Sequence, residues 1–467
     1  MPYTDRLRSG QVTNSNRQVV DAAAGANGSA APASGRLSVL SHRNFTLLWV
    51  GQVVSNAGSW MQILAQGILV YQLTDSPFYL GLVAAARAVP MIVLPPMGGV
   101  IADRLPRLRL LKFTQSVQLV IALVLAVLIS ADVIQIWQII LASFLAGVVN
   151  AFDQPSRQAL IPDLVPRQDL AKAIALNSSA WQGASLFGPS LAGLTVALIG
   201  IAGAFYINAL SFVAVIVALY MMKDVPERSA TPSGRGLTHD LKAGLRYSAS
   251  VRLILHLIIL STITSIFGRS YTQLLPALGK DVFGLGGLGL GILYSAPGAG
   301  AIIGALAMAV MPDIHRKGVV FLASMVLFGV TLILFTLTRN FYAAIFLLFL
   351  SGVFAILFSS LLTTMLQLRA DADMRGRVMS LVTVTLQGFA PVGALIDGAI
   401  ATRIGTPEAV GLFAVIVVVA AFLAAAAMPQ VRNFQAEGEG PAPPAGGHRE
   451  PRIVPVQSPA SPAAASQ

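Results

Sequence analysis

No cysteine occurs among the 467 residues, which excludes disulfide frameworks, thiolate metal sites and iron–sulfur clusters. Charge is scarce too. Asp, Glu, Lys and Arg together make up 11% of the chain, where a soluble domain carries about 25%. So few charges do not cover a water-facing surface, and most of the chain must therefore face lipid. Histidines number 5, and His42, His239, His256, His315 and His448 form no H-E-x-x-H or similar ligand pair. No metal and no cofactor is expected. A G-x-x-x-x-G-K-[ST] phosphate loop is missing, so ATP-driven pumping has no visible engine. No nucleophile–base constellation appears either, and the chain does not read as an enzyme.

Apolar residues are abundant, at 55%. They gather into twelve stretches long enough to cross a ~30 Å hydrocarbon core as helices. These spans 1 to 12 are expected at 44–71, 78–102, 108–131, 135–153, 171–198, 201–222, 251–278, 286–311, 318–337, 340–366, 376–403 and 409–429. Residues 1–43 are rich in Ser, Ala, Gly and Asn without the apolar core of a secretory signal. Residues 430–467 are dominated by Pro, Ala, Gly and Glu from Gln435 onward. Both read as disordered tails. The longest internal connection, 223–250, divides the membrane part into bundles at 44–222 and 251–429. It begins as a Pro/Ser/Gly-rich linker, while 238-THDLKAGLRY suits a short amphipathic helix on the membrane surface.

The net charge of +11 is distributed for a membrane, not for nucleic acid. Each Lys or Arg was assigned to the side of the membrane it adjoins, in a connection or near a span end. By that count 26 of the 31 lie on the side of the termini and 3 on the other. Arg87 and Arg269 sit inside spans. This positive-inside bias puts both termini in the cytoplasm. The halves also echo each other. At an offset of 210, Gly81 falls on Gly291, Asp103 on Asp313 and Arg107 on Lys317. At an offset of 202, Asp169 falls on Asp371 and Pro189 on Pro391. Parallel repeats of this kind belong to transporters that rock around a midplane site.

The connection after span 2 reads 99-GVIADRLPRLR-109, which resembles the G-x-x-x-D-R-x-G-R-[RK] signature of the major facilitator superfamily. Pro106 replaces the usual Gly, and Leu108 the second basic residue. The span-5 sequence 187-FGPSLAG-193 resembles the G-P-x-x-G-G element of that superfamily's antiporters. Segments 152-FDQPSRQALIPDLVP-166, 177-NSSAWQGASLFGP-189 and 375-RGRVMSLVTVTLQGFAPVGALIDG-398 are similar to the branch of enterobactin exporters and macrolide efflux proteins. The resemblance covers residues 40–429. It implies an all-α membrane fold of twelve transmembrane helices in two pseudo-symmetric six-helix bundles. It also implies a bacterial inner-membrane protein, acting as a monomer on a small-molecule substrate and protons.

It implies residue roles as well. Asp103, beside Arg104, would contact the start of span 11 near Arg375 and Arg377, where free N–H groups favour a carboxylate. Arg107 would pair with Asp153 at the end of span 4. Together these groups would latch the halves on the cytoplasmic side. Gly188–Pro189 and Pro391 mark kinks in spans 5 and 11, since proline removes a helical hydrogen bond. Span 1 carries a polar stripe, Ser55, Ser59, Gln62 and Gln66, and span 7 carries Ser261, Ser265, Gly268 and Thr272. Such a stripe is costly against lipid and should face protein or water, and in this family both spans line a central cavity. Interhelical packing is the alternative. Trp181, Gln182 and Asn208 are weaker cavity candidates.

Arginine at mid-helix costs about 2.5–3.5 kcal/mol on insertion scales, so Arg87 and Arg269 suggest an anionic cargo. Asp397 is the one carboxylate well inside a span. By depth, ~13 Å for Arg87 and ~9 Å for Asp397 from their outer ends, the two are expected to pair across the outer gate, with Arg269 the runner-up and Asp397 as the coupling site. A helix-end charge reaching periplasmic water is the alternative. The expected function is secondary export of a small amphiphilic molecule by alternating access, through proton antiport. An importer or uniporter, or a receptor or scaffold with the same fold, is the rival.

Overall fold

Helices stand at all twelve expected positions in the computed structural model, which describes residues 38–94, 106–225, 237–310 and 314–435. The described residues contain no strand. Within lipid every backbone N–H and C=O must be satisfied inside its own segment, and helices do this. Spans 1 to 4 are Arg43–Thr74, Pro77–Val93, Arg107–Ser130 and Ile136–Leu164. Leu170–Met221 holds spans 5 and 6. Its turn is made by Gly200 at φ 76° and ψ 178°, a conformation that a residue with a Cβ rarely adopts. The linker helix is Leu237–Ser250. Span 7 runs Arg252–Asp281 and widens into a π-helical turn at Thr264–Gly268. Spans 8 to 12 are Gly287–Val310, Lys317–Leu337, Phe341–Arg369, Arg375–Ile404 and Thr406–Ala427. Gly405, at φ 98°, turns the chain between the last two.

Span 4 overruns its expected end by more than two turns. Pro155 and Pro162 lie inside it without stopping it. The extension is held by packing: Leu160, Ile161 and Leu164 join Phe45, Leu48, Leu111 and Leu219 in one buried cluster. Burial of that face outweighs the bonds the prolines forgo.

The halves meet along two equivalent seams. Span 2 lies on span 11, where a Cβ added at Gly81 would stand 2.3 Å from the carbonyl oxygen of Ala394. Span 8 lies on span 5, where a Cβ at Gly291 would stand 2.6 Å from the carbonyl oxygen of Pro189. These are the glycines that the 210-residue repeat superposes, and each lets two backbones touch. An apolar plug joins the halves further in: Met61, Leu64 and Ile68 of span 1 and Ala192 of span 5 pack with Leu290 of span 8.

These contacts favour the face opposite the chain ends. Along the span 5–8 seam they run from Gly193 against Gly287 to Gly298 against Ser185. Beyond that point a Cβ at Gly183 would meet nothing within 4 Å. The same holds at Gly376, where span 11 begins. Among the described residues the contacts between the bundles therefore gather toward the far face.

Candidate functional site

The far face is sealed by four polar side chains at the ends of spans 1 and 7. Tyr71 donates its hydroxyl to Asp281 at 2.5 Å. Lys280 pairs with Asp75 at 2.7 Å, and its ammonium lies 5.0 Å from the centroid of the Tyr71 ring. One turn below Tyr71, a Cβ at Gly67 would stand 2.9 Å from the ring of Pro276. Ser190 and Ser295 share a hydrogen bond of 2.8 Å across the span 5–8 seam. The Tyr71–Asp281 and Asp75–Lys280 pairs did not emerge from sequence. All four residues lie at span ends, where charges are ordinary, and their long-range pairing has no local signal.

Asp397 is fully buried in span 11. Its Oδ2 accepts a hydrogen bond from Ser270 at 2.8 Å, and its Oδ1 has no hydrogen-bond partner among the described residues. The expected Arg87–Asp397 pair is not formed. Helix register explains this. Gly398 lies against Pro77 and Phe78, and Gly81 against Ala394 and Leu395, so Asp397 is level with the first turn of span 2. Arg87 stands about two turns deeper, with its backbone against Gly147 of span 4. No ion pair or side-chain hydrogen bond of Arg87 occurs among the described residues. Arg269 follows the π-helical turn, is exposed, and also has no acceptor among the described residues.

The polar stripes divide between packing and cavity. Ser55, Ser261 and Ser265 are buried, and Ser265 donates to the Leu386 carbonyl at 3.2 Å. Gln62 accepts from Asn208 of span 6, while Gln66 donates to Ser143 of span 4 at 2.9 Å. Ser59 is half-buried, and Thr272 bonds the Arg269 carbonyl at 2.9 Å. Gln62, Gln66 and Ser265 thus hold helices together, because either packing or water keeps polar atoms out of lipid. Sequence reasoning missed the row Gln52, Asn56 and Trp60, one turn apart on span 1, each with a buried polar atom lacking a partner. Trp60 lies 5.7 Å from Trp181 of span 5, ring to ring.

On the face of the termini, Asp103 and Arg104 lie outside the described residues. Arg107 pairs with Asp163 at 2.7 Å and also donates to the Ala159 carbonyl, instead of reaching Asp153. Because span 4 continues to Leu164, Asp163 is the acid at its true end. Asp153 is buried inside the first bundle, taking hydrogen bonds from Thr114 at 2.6 Å, Gln115 at 2.8 Å and Arg157 at 2.7 Å. The Arg107–Asp163 pair and the Thr114 and Gln115 bonds to Asp153 tie span 3 to span 4 within the first bundle, while Arg157–Asp153 is a pair within span 4. Arg375 is exposed and Arg377 half-buried, with Gly244 of the linker helix against the Arg377 side chain. Spans 5 and 11 remain helical through Gly188–Pro189 and Pro391. Another acid on this face, Asp169, accepts bonds from His42 at 3.1 Å and Lys172 at 3.1 Å. These hold its carboxyl below the ordinary carboxylate range.

Comparison with known proteins places this geometry in context. A family model described as a transmembrane secretion effector matches residues 34–446. The chain is similar to the staphyloferrin A transporter of Staphylococcus aureus, 28% identical over 73% of this chain and 85% of the relative. It is 26% identical to the enterobactin exporter of Shigella boydii over 85% of this chain and 95% of the relative. Among solved structures, an inward-facing, unoccupied bacterial homologue of the lysosomal transporter Spinster matches with a TM-score of 0.65 at 12% identity. That match covers 84% of this chain and 98% of the other.

Proposed function

Since the chain belongs to the transmembrane secretion effector family of major facilitator transporters, we propose that it exports a small amphiphilic molecule, such as a siderophore, by proton-coupled alternating access. The names of its relatives support this reading: one is a staphyloferrin A transporter and another an enterobactin exporter. The charge bias supports a cytoplasmic face for the termini, and the bacterial relatives support an inner-membrane location. In that orientation, joints gathered toward the far face would suit an inward-open state, ready to take cargo from inside. The Asp103–Arg104 segment and the start of span 11, with Arg375 and Arg377, would close that side in the opposite state.

The observation that carries coupling is Asp397. A carboxylate buried in a membrane helix needs a partner, a proton or water. Ser270 satisfies one oxygen, no cation among the described residues reaches the other, and a proton removes the unbalanced charge. Export would discharge that proton to the cytoplasm as cargo moves out. Everted membrane vesicles energised by a proton gradient test this with a panel of labelled siderophores and macrolides. Wild-type vesicles should accumulate cargo, and an uncoupler should abolish the accumulation. Asp397→Asn should retain downhill flux but lose uphill transport. Accumulation by Asp397→Asn equal to wild type overturns the assignment, and loss of cargo from wild-type vesicles on energisation identifies an importer.

A further inference from the structure

We propose that the groove between the start of span 2 and the last third of span 11 is a phospholipid site, holding an acyl chain along the helices and the phosphate on Arg403. This goes beyond the export reading and does not depend on it. The groove has a volume of about 530 Å³, within the ~300–1,000 Å³ of small-molecule pockets. Its walls are Phe78 of span 2 with Leu395, Ile396, Ala399, Ile400 and Ile404 of span 11. None of these side chains carries a polar atom. The two spans meet tightly beside it, where a Cβ at Gly398 would stand 2.6 Å from the carbonyl oxygen of Pro77 and 3.1 Å from the Cα of Phe78.

Helix period lets span 11 serve two environments. Ala394, Asp397, Gly398 and Ala401 share one face and are buried. Ile396, Ala399, Ile400 and Arg403 share the adjoining face and line the groove. The length of that wall matches a membrane leaflet. Ten helical residues rise about 15 Å, half of a ~30 Å hydrocarbon core. A groove of one leaflet's depth, apolar throughout and lying at the surface of a membrane-spanning bundle, suits an acyl chain whose headgroup stands at the mouth.

The mouth carries the charge that a phosphate requires. Arg403 lies in the last turn of span 11, lines the groove and is exposed. No ion pair or side-chain hydrogen bond of Arg403 occurs among the described residues, and Glu408, the acid five residues on, does not reach it. Cations are few on this side of the membrane, 3 of 31, and one of them, Lys280, is held by Asp75. The free guanidinium fork takes two phosphate oxygens at once. A soluble anion would leave the apolar groove empty, and a plain hydrocarbon would leave the arginine without an acceptor. A phospholipid satisfies both. Since Phe78 and span 11 belong to different bundles, a lipid bound here favours the state in which spans 2 and 11 touch.

The test is photo-crosslinking of the delipidated full chain in maltoside micelles. Two probes carry the same diazirine-bearing acyl chain, a phosphatidylglycerol and a diacylglycerol that lacks the phosphate, and labelled residues are mapped by peptide mass spectrometry. A phosphate contact at an exposed arginine is worth about threefold to fivefold. Phosphatidylglycerol should therefore label Phe78 and residues 395–404 by that factor over diacylglycerol. Arg403→Gln should bring the ratio there to about one without changing labelling elsewhere on the chain, which separates a lost site from a lost fold. Arg403→Lys should restore part of the ratio. Ala399→Trp, which fills the groove and leaves the charge, should lower labelling there by both probes. Equal labelling of the groove by the two probes in wild type overturns the site, as does a phosphatidylglycerol preference that survives in Arg403→Gln. Displacement of the label by an unlabelled macrolide but not by unlabelled phosphatidylglycerol also overturns it, and makes the groove a path for cargo.

Discussion

Asp153 shows how much one buried carboxylate can hold. Thr114, Gln115 and Arg157 all converge on it, and the Arg157 side chain is itself only 11% exposed. Removing one member of such a pair strands the other charge away from water. Asp153→Ala should therefore destabilise the protein by about 3–5 kcal/mol, read as a lowered unfolding temperature in detergent. Asp153→Ala with Arg157→Ala should recover part of that loss, and additive losses would show that the charges are not coupled. Asp169 makes a pH prediction with a definite sign. His42 and Lys172 favour its ionised form in the folded state. Their contribution is complete above the ordinary value of 3.8 and fades as pH falls through the lower folded value. Thermal unfolding measured from pH 6 to pH 3 should show a steeper acid-side decline in wild type than in Asp169→Asn. Identical slopes would dismiss this tie between the N-terminal turn and span 5.

At the scale of the element, glycine positions sort into two classes by what they touch. Gly300 of span 8 lies inside the second bundle, where a Cβ would stand 1.8 Å from the carbonyl oxygen of Phe349. Gly81 lies on the seam between bundles. Overpacking a tight contact costs about 1–3 kcal/mol, but the cost falls on different equilibria. Gly300→Leu should lower the unfolding temperature, since span 10 has no second position to adopt. Gly81→Leu should leave unfolding closer to wild type and instead push spans 2 and 11 apart at the far face. Equal thermal losses in both variants would mean that the seam belongs to the folded core. The π-helical turn of span 7 belongs to this scale as well. It is followed directly by Arg269, which lines the same crevice of the second bundle as Ser265 and Leu386.

For the whole molecule, the seal at the far face sets which side is open. The Asp75–Lys280 pair is exposed, with side chains 77% and 49% accessible, so by itself it contributes roughly 0–1 kcal/mol. Tyr71–Asp281 is more protected and should count for more. A chain without cysteine allows a direct test. Leu64, fully buried in the plug between bundles, becomes a reporter as Leu64→Cys. In that background Tyr71→Phe with Lys280→Ala should raise labelling by an impermeant thiol reagent from the far side severalfold. Lys280→Ala alone should raise it little. No change in the double variant would show that the apolar plug, and not the polar ring, holds the outer side shut.

The number of spans, their helical state, the charge asymmetry and the family were legible in the residues, because each follows from local quantities. Run length sets what crosses lipid, and Lys and Arg counts sort the connections. The repeat was legible too, since Gly81 and Gly291 occupy equivalent seams. Partners were not. A polar stripe at helical spacing says that a face avoids lipid, and Gln62 and Gln66 satisfy that demand against span 6 and span 4 instead of a cavity. Depth counted from a span end assigned Asp397 to Arg87, but register between spans 2 and 11 parts them, and Ser270 takes the place of the cation. Arg107 found Asp163 because packing carried span 4 past its prolines. Sequence period defines a face and a rough depth, whereas a hydrogen bond or ion pair requires two atoms within about 3 Å. Only the packing of one helix on another sets that distance.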